Sequence, residues 1–199
     1  MKYIDYIRKH FNDSKSPIFT IQELKTVLGL KGISPTYLKR LINYMIKRRE
    51  ILRISRGVYT FYDEITVVGF AFRPFYYGLE NALTLRHLWE QGTNPIIITP
   101  NKVRSGNRKF GNGNYSILHV GRDLFFGYDF VLSDGLWVPI SDYEKTFIDF
   151  IYFNHYLRKD MSKALRLKID KKKLVKYLKH YNKRIRKRVL QELKPNNTL

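Results

Sequence analysis

The chain has 199 residues, enough for one large domain or two small ones, and its 44% hydrophobic content can build a core. The absence of cysteine excludes a disulfide framework and thiolate metal sites, and no apolar run approaches the length of a membrane span. The formal net charge of +20 points to a polyanionic partner, and the excess is densest from Arg158 onward, where 16 Lys or Arg face 3 acids.

Near the N-terminus, Asp5, Arg8 and Lys9 interrupt any secretory core, so a cytoplasmic protein is expected. Residues 1–11 carry Ile4, Ile7 and Phe11 at helical spacing. Asn12 to Pro17 has loop composition. Thr20 followed by Glu23 has the spacing of a capping box, in which each side chain caps the other residue's backbone N–H. Ile21, Leu24, Val27 and Leu28 then form a buried stripe that Gly29 ends, and Lys31-Gly32-Ile33 is read as the turn.

Ser34 and Pro35 open a third helix, as N-cap and first helical residue, running to Arg49. Leu38, Leu41, Ile42, Met45 and Ile46 share its apolar side. Thr36, Tyr37, Lys39, Arg40, Asn43, Lys47 and Arg48 share the other. Ile51 to Phe61 reads as a hairpin whose turn is Ser55-Arg56-Gly57, with Gly57 supplying the permissive backbone. Two helices at a turn, then a basic hairpin, predict a winged helix-turn-helix over residues 1–62. In such a domain the second helix of the pair enters the major groove. The expected contacts to double-stranded DNA are Ser34, Thr36, Tyr37, Lys39, Arg40, Asn43 and Lys47 from the helix, and Arg53, Ser55 and Arg56 from the wing. Arg or Lys can pair with guanine and Asn with adenine.

Residues 63–199 read as an α+β domain with a small, mostly antiparallel sheet. Ile65 to Phe72 has the composition of a strand, Tyr76 to Trp89 the pattern of a helix, and Ile96 to Thr99 that of a short buried strand. Lys102 to Gly113 is basic and glycine-rich, and Lys102, Arg104, Arg108 and Lys109 are expected to add non-specific affinity for DNA. Strands are expected over Tyr115 to Val120, Phe125 to Leu132 and Leu136 to Ile140, the last two joined by Ser133-Asp134-Gly135. Ser141, with Glu144 three residues on, is expected to cap the next helix. The end of the chain is helical and basic. Asp170 caps one helix there, Lys171, Lys172 and Lys173 add to the basic surface, and Pro195 to Leu199 frays.

No phosphate-binding loop ends in Lys-Ser or Lys-Thr, and His10, His87, His119, His155 and His180 are scattered. No cofactor and no metal are expected. Asp123, Asp129, Asp134, Asp142 and Glu144 raise the alternative of a metal-dependent nuclease, which would need several of them to converge on one ion. Turn and cap positions account for most of them without catalysis. Phe72, Phe75, Phe125, Phe147 and Phe150 are expected in the core.

The order of parts resembles the AbiEi-type antitoxins, transcriptional regulators of type IV toxin–antitoxin pairs. The resemblance rests on the Gly57-Val58-Tyr59 strand, on Tyr77-Gly78-Leu79-Glu80-Asn81-Ala82-Leu83, and on Ile140 to Asp149, within residues 3–180. It implies an N-terminal winged helix that binds inverted repeats and represses its own operon, with Thr36, Tyr37, Lys39, Arg40, Arg53 and Arg56 at the DNA. It also implies a C-terminal domain acting against a cognate nucleotidyltransferase-like toxin. The very basic C-terminal end departs from that pattern. Together these readings predict a non-enzymatic repressor, monomeric or homodimeric; if its site is palindromic, two copies meet it, as a dimer or as cooperating monomers. A toxin-neutralising protein-binding module is a further alternative.

Overall fold

The computed structural model of the chain describes residues 3–12, 16–29, 32–133 and 135–193. Parts of the expected Asn12–Pro17 loop and of the turn at Lys31, Asp134 of the hairpin turn, and the end from Pro195 lie outside the described residues. The fold is mixed α+β, with a three-stranded antiparallel sheet and a six-stranded mixed sheet. The chain divides into two compact units. One comprises Met1–Arg73 with Arg108–Tyr115, and the other Pro74–Asn107 with Ser116–Leu199.

The first unit runs α1 (Tyr3–Asn12), β1 (Phe19–Thr20), α2 (Ile21–Gly29), α3 (Pro35–Lys47), β2 (Leu52–Ser55) and β3 (Val58–Thr60). Its sheet has the order β1-β3-β2. Local chemistry fixes the helix starts. Thr20 N–H donates to Glu23 Oε2 at 2.6 Å and Glu23 N–H to Thr20 Oγ1 at 3.2 Å, the expected capping box. Ser34 Oγ accepts from Tyr37 N–H at 3.2 Å, with Pro35 next in line. Helix α3 stops two residues short of the expected Arg49. Arg49 itself is left-handed (φ 56°), and its N–H reaches Ile46 O at 3.0 Å while Glu50 N–H reaches Met45 O at 2.9 Å. That pair of bonds is a Schellman ending. Ile7, Phe11, Leu24, Leu28, Leu41 and Met45 meet in one core beneath the three helices.

Residues Ile65–Phe72 form a 3-10 helix, not the expected strand. Its apolar run is buried on every side, with Val67, Val68, Gly69, Phe70 and Phe72 all enclosed. An uninterrupted apolar run carries no period, so it could not choose between helix and strand.

The second unit contributes β4 (Tyr76–Tyr77), α4 (Leu79–Leu85), β5 (Ile96–Thr99), β8 (Tyr128–Ser133), β9 (Leu136–Ser141) and four further helices. These are α5 (Tyr143–Tyr152), α6 (Lys159–Arg166), α7 (Lys171–Leu178) and α8 (Lys183–Leu193). With β6 (Gly106–Phe110) and β7 (Gly113–His119), of which Arg108–Tyr115 group with the first unit, the larger sheet has the order β6-β7-β5-β4-β9-β8. It is less antiparallel than expected, because β4 pairs with β9 and β5 with β7 in parallel.

The expected helix over Tyr76–Trp89 is divided. Tyr76 and Tyr77 pair with Ile98 and Ile97 in the sheet, extended Gly78 starts α4, and the helix ends at Leu85. Gly78 lies close under Ile98: a Cβ there would meet Ile98 Cδ1 at 2.4 Å, so that buried side chain would have to shift. Half of the basic, glycine-rich stretch at Lys102–Gly113 is strand, since β6 occupies Gly106–Phe110 and β7 starts at Gly113. The start of α5 is corrected by one residue. Ser141 is the last residue of β9, and Asp142 is the N-cap, accepting from Lys145 N–H at 2.8 Å. The core of this unit gathers Leu83, Phe147, Ile148, Leu165, Leu174 and Val189 between sheet and helices.

Candidate nucleic-acid interface

Helix α3 is anchored on one side and open on the other. Leu38, Leu41, Ile42 and Met45 are buried and Ile46 is half-buried, at the spacing expected of a single helical face. Each such side chain contributes about 1.5–3 kcal/mol of burial free energy, so the helix is held firmly. The opposite face exposes Ser34, Thr36, Tyr37, Lys39, Arg40, Asn43, Tyr44 and Lys47. No acidic residue lies within α3. The nearby carboxylates are occupied: Glu23 closes its capping box, and Glu50 meets Arg8 at 3.8 Å and Arg48 at 3.0 Å. Among the described residues, no salt bridge engages Lys39, Arg40, Lys47, Arg53 or Arg56. Cations without a paired carboxylate attract an external polyanion at the least internal cost.

The hairpin beside this helix in sequence is tied down at its turn. Gly57 is left-handed (φ 79°), and its carbonyl accepts from Ile21 N–H, the first residue of α2, at 2.8 Å. Arg56 is exposed within that turn. Arg53 is also exposed, but its Nε donates to Ser55 O at 3.2 Å across the irregularity in the β2–β3 register. Ser55 is half-buried. The structure therefore places seven expected helix residues on one exposed face and only Arg56 fully open in the hairpin.

Two features of this face escaped the sequence reading. Tyr44 is exposed, and Arg48 stacks over its ring at 5.4 Å while donating to its hydroxyl at 3.0 Å. Tyr37 leans edge-on against Tyr3 of α1 at 5.9 Å, which orients an otherwise open ring. The four-residue spacing of Tyr44 and Arg48 was the available signal for the first pair.

The accessory basic residues divide. Lys102, Arg104, Lys109, Lys171 and Lys172 are exposed. Arg108 is half-buried, with its guanidinium 5.3 Å over the Phe72 ring, so much of its role is packing. Lys173 is half-buried, and its charge is matched from within the protein. Its ammonium sits 3.0 Å from Asp142 and 3.1 Å from Glu144. Burial works against its charge, but hydrogen bonds from these two carboxylates hold its pKa well above the usual lysine value.

The carboxylates considered for a nuclease are dispersed in role. Asp129 pairs with Arg86 at 3.1 Å, Asp142 caps α5, and Glu144 accepts from Asp170 N–H at 2.7 Å. Asp123 is exposed in a short 3-10 helix (Arg122–Leu124). Among the described residues, no group of three or more His, Asp or Glu could hold a metal ion.

The segment from Ile140 to Asp149, which in the sequence carries only a family resemblance, holds a buried polar cluster. Lys145 is fully buried, and its ammonium donates to Asp149 Oδ1 and, at 2.9 Å, to the Tyr181 hydroxyl. Tyr76 donates to the other Asp149 oxygen at 2.9 Å. The rings of Tyr76, Phe126 and Tyr181 surround the ammonium at 5.5–5.7 Å. Burial, with Asp149 close by, pushes the Tyr76 hydroxyl well above its usual pKa. Tyr177 donates to Asp142 at 2.7 Å, and burial together with that bond pushes its pKa up to about 12. This cluster joins β4, α5 and the helical C-terminal segment, and every polar atom named in it has a partner inside the protein. Its geometry is that of a structural lock.

No known protein family matches the chain, and comparison with curated proteins finds no match. Among the described residues, no helix is long and apolar enough to cross a membrane.

Proposed function

We propose that the protein is a sequence-specific, double-stranded DNA-binding transcriptional regulator. The observation that carries this reading is the outward face of α3. Lys39, Arg40, Asn43 and Lys47 are exposed there on a helix without a single carboxylate, backed by a packed apolar face. The order helix, strand, two helices, hairpin, with the sheet closing as β1-β3-β2, supports treating residues 1–62 as a winged helix-turn-helix. In this reading α3 lies in the major groove. Thr36, Tyr37, Lys39, Arg40 and Asn43 approach base edges, and Lys47 and Arg56 hold phosphates.

The regulator acts as a repressor of its own operon, in the manner of the AbiEi-type antitoxins that the sequence resembles, and works in the cytoplasm. The second unit then serves a cognate toxin of the nucleotidyltransferase class. Footprinting on the DNA upstream of the protein's own gene tests this. Protection of inverted repeats, competed by the same duplex but not by duplex RNA of equal length, is the expected result. Equal affinity for every duplex would refute sequence-specific regulation.

A further inference from the structure

The second unit carries a surface whose chemistry is opposite to that of α3. Strand β8 is the last strand of the six-stranded sheet. Phe130 and Leu132 on β8 are 62% and 57% exposed, and Trp137, directly opposite Leu132 on β9, is 63% exposed. Alternate residues of a strand share a face, and so do directly opposed residues, so these three form one apolar patch. Tyr128 extends it, its ring 6.3 Å from that of Phe130.

The ladder phase shows where the edge backbone points. Asp142 N–H donates to Gly127 O at 2.9 Å, which makes 127 and 142 a hydrogen-bonded pair. Alternation then makes Asp129–Ile140, Val131–Val138 and Ser133–Leu136 hydrogen-bonded as well. Phe130 faces Pro139, which has no N–H to give, as this phase requires. Tyr128, Phe130 and Leu132 consequently direct their backbone N–H and C=O groups to the outer edge. Among the described residues no other strand pairs with that edge. The residues with exposed apolar side chains are thus also the ones with a backbone open to a further strand.

Charge selects the occupant. From Asp123 to Glu144 the chain has no Lys or Arg, although it carries 37 elsewhere. Asp129, the one acid within β8, is paired with Arg86. A strongly cationic protein is repelled least by a second copy of itself where its own positive charge is sparse, and this segment carries no Lys or Arg. We propose that the outer edge of β8 pairs, antiparallel, with β8 of a second copy. A two-fold axis at Phe130 places Tyr128 against Leu132 of the second copy and continues the sheet across both chains. Such a contact is isologous, each copy using the same patch. One strand edge and three side chains cover on the order of 400 Å² per copy, about half of what a standard stable interface buries on each side, so the association is weak and concentration-dependent. The contact involves the second unit alone and is independent of DNA binding.

The test is sedimentation velocity of the nuclease-treated full chain in high salt, up to a concentration on the order of 500 µM, where weak interfaces of this size associate. The sedimentation coefficient is expected to rise toward that of a dimer, and Leu132→Lys is expected to keep the chain monomeric with an unchanged far-UV circular dichroism spectrum. Because the chain has no cysteine, Phe130→Cys creates a unique thiol. Its oxidative cross-linking is expected to exceed that of Val175→Cys, a control on α7 that is 53% exposed, by at least about tenfold. A wild-type chain that stays monomeric throughout, a dimer untouched by Leu132→Lys, or equal cross-linking at the two thiols would overturn the proposal. If Leu132→Lys fails to fold, the two cysteine variants decide alone.

Discussion

The buried Lys145–Asp149 pair allows a quantitative prediction about what holds the second unit together. Both side chains are fully inaccessible. Asp149→Asn removes the negative charge and leaves the Lys145 ammonium with neutral partners alone: the new amide oxygen, the Tyr181 hydroxyl and three ring faces. An uncompensated buried charge costs about 3–5 kcal/mol, a large part of the roughly 5–15 kcal/mol that stabilises a typical domain. Lys145→Met strands Asp149 in the same way, with only Tyr76 as donor. The double variant removes both charges, so its loss is expected to fall short of the summed single losses by about 2–3 kcal/mol. Both tryptophans, Trp89 and Trp137, lie in the unit that contains the pair, so urea unfolding followed by their fluorescence reports on it selectively. At a slope of about 2 kcal/mol per molar urea, each single variant should move the midpoint down by about 1.5–2.5 M. Single losses below about 1 kcal/mol, or a double variant equal to the sum of the singles, would refute the description of this cluster as a lock.

Three further outcomes follow from the geometry. Arg49→Gly should raise the stability of the first unit by up to about 1 kcal/mol in thermal unfolding, because Arg49 occupies a left-handed position at the end of α3 that glycine adopts without steric cost. Gly127→Ala should destabilise the second unit by about 2–4 kcal/mol, since Gly127 has φ 73° and a Cβ there would lie 2.9 Å from both Lys145 Cβ and Tyr177 Cε2. Tyr177, raised from 10.0 to about 12, contributes stability that is fully present below pH 10 and lost as pH rises through about 12. Lys173 titrates in the same direction, so unfolding free energy should fall across this alkaline window, and less steeply in Tyr177→Phe.

What the sequence disclosed was mostly what short-range chemistry decides. The Thr20–Glu23 box, the Ser34-Pro35 opening of α3, the Gly57 turn and the Asp170 cap each depend on residues within a few positions, and each forms as read. The exposed face of α3 was legible for the same reason, because a 3.6-residue period sorts Leu38, Leu41, Ile42 and Met45 from Lys39, Arg40 and Asn43. The errors lie where tertiary structure decides. Tyr76 and Tyr77 are strand only because Ile97 and Ile98 on one side and Ile140 on the other lie beside them, and a two-residue strand leaves no periodic trace. The cap of α5 fell on Asp142 because β9 runs on through Ser141, whose backbone is still in the ladder opposite Tyr128. Lys173 looked like one more lysine in a basic run, and only the chain's return past Asp142 and Glu144 removes it from the free positive surface. The Lys145 cluster was invisible for a similar reason, since Tyr76 and Tyr181 are remote from it in sequence.

The measurement that bears most directly on the central claim compares two arginines on the exposed basic surface of the first unit. Binding to the footprinted site and to an unrelated duplex, each over a range of salt, is to be measured for Arg40→Ala and Arg56→Ala. Arg40→Ala is expected to lose about 1–3 kcal/mol on the preferred site and much less on the unrelated duplex. Arg56→Ala is expected to weaken both duplexes alike and to lower the salt slope by about one. Small and equal losses from the two substitutions, on both duplexes, would contradict a reading helix seated in the groove.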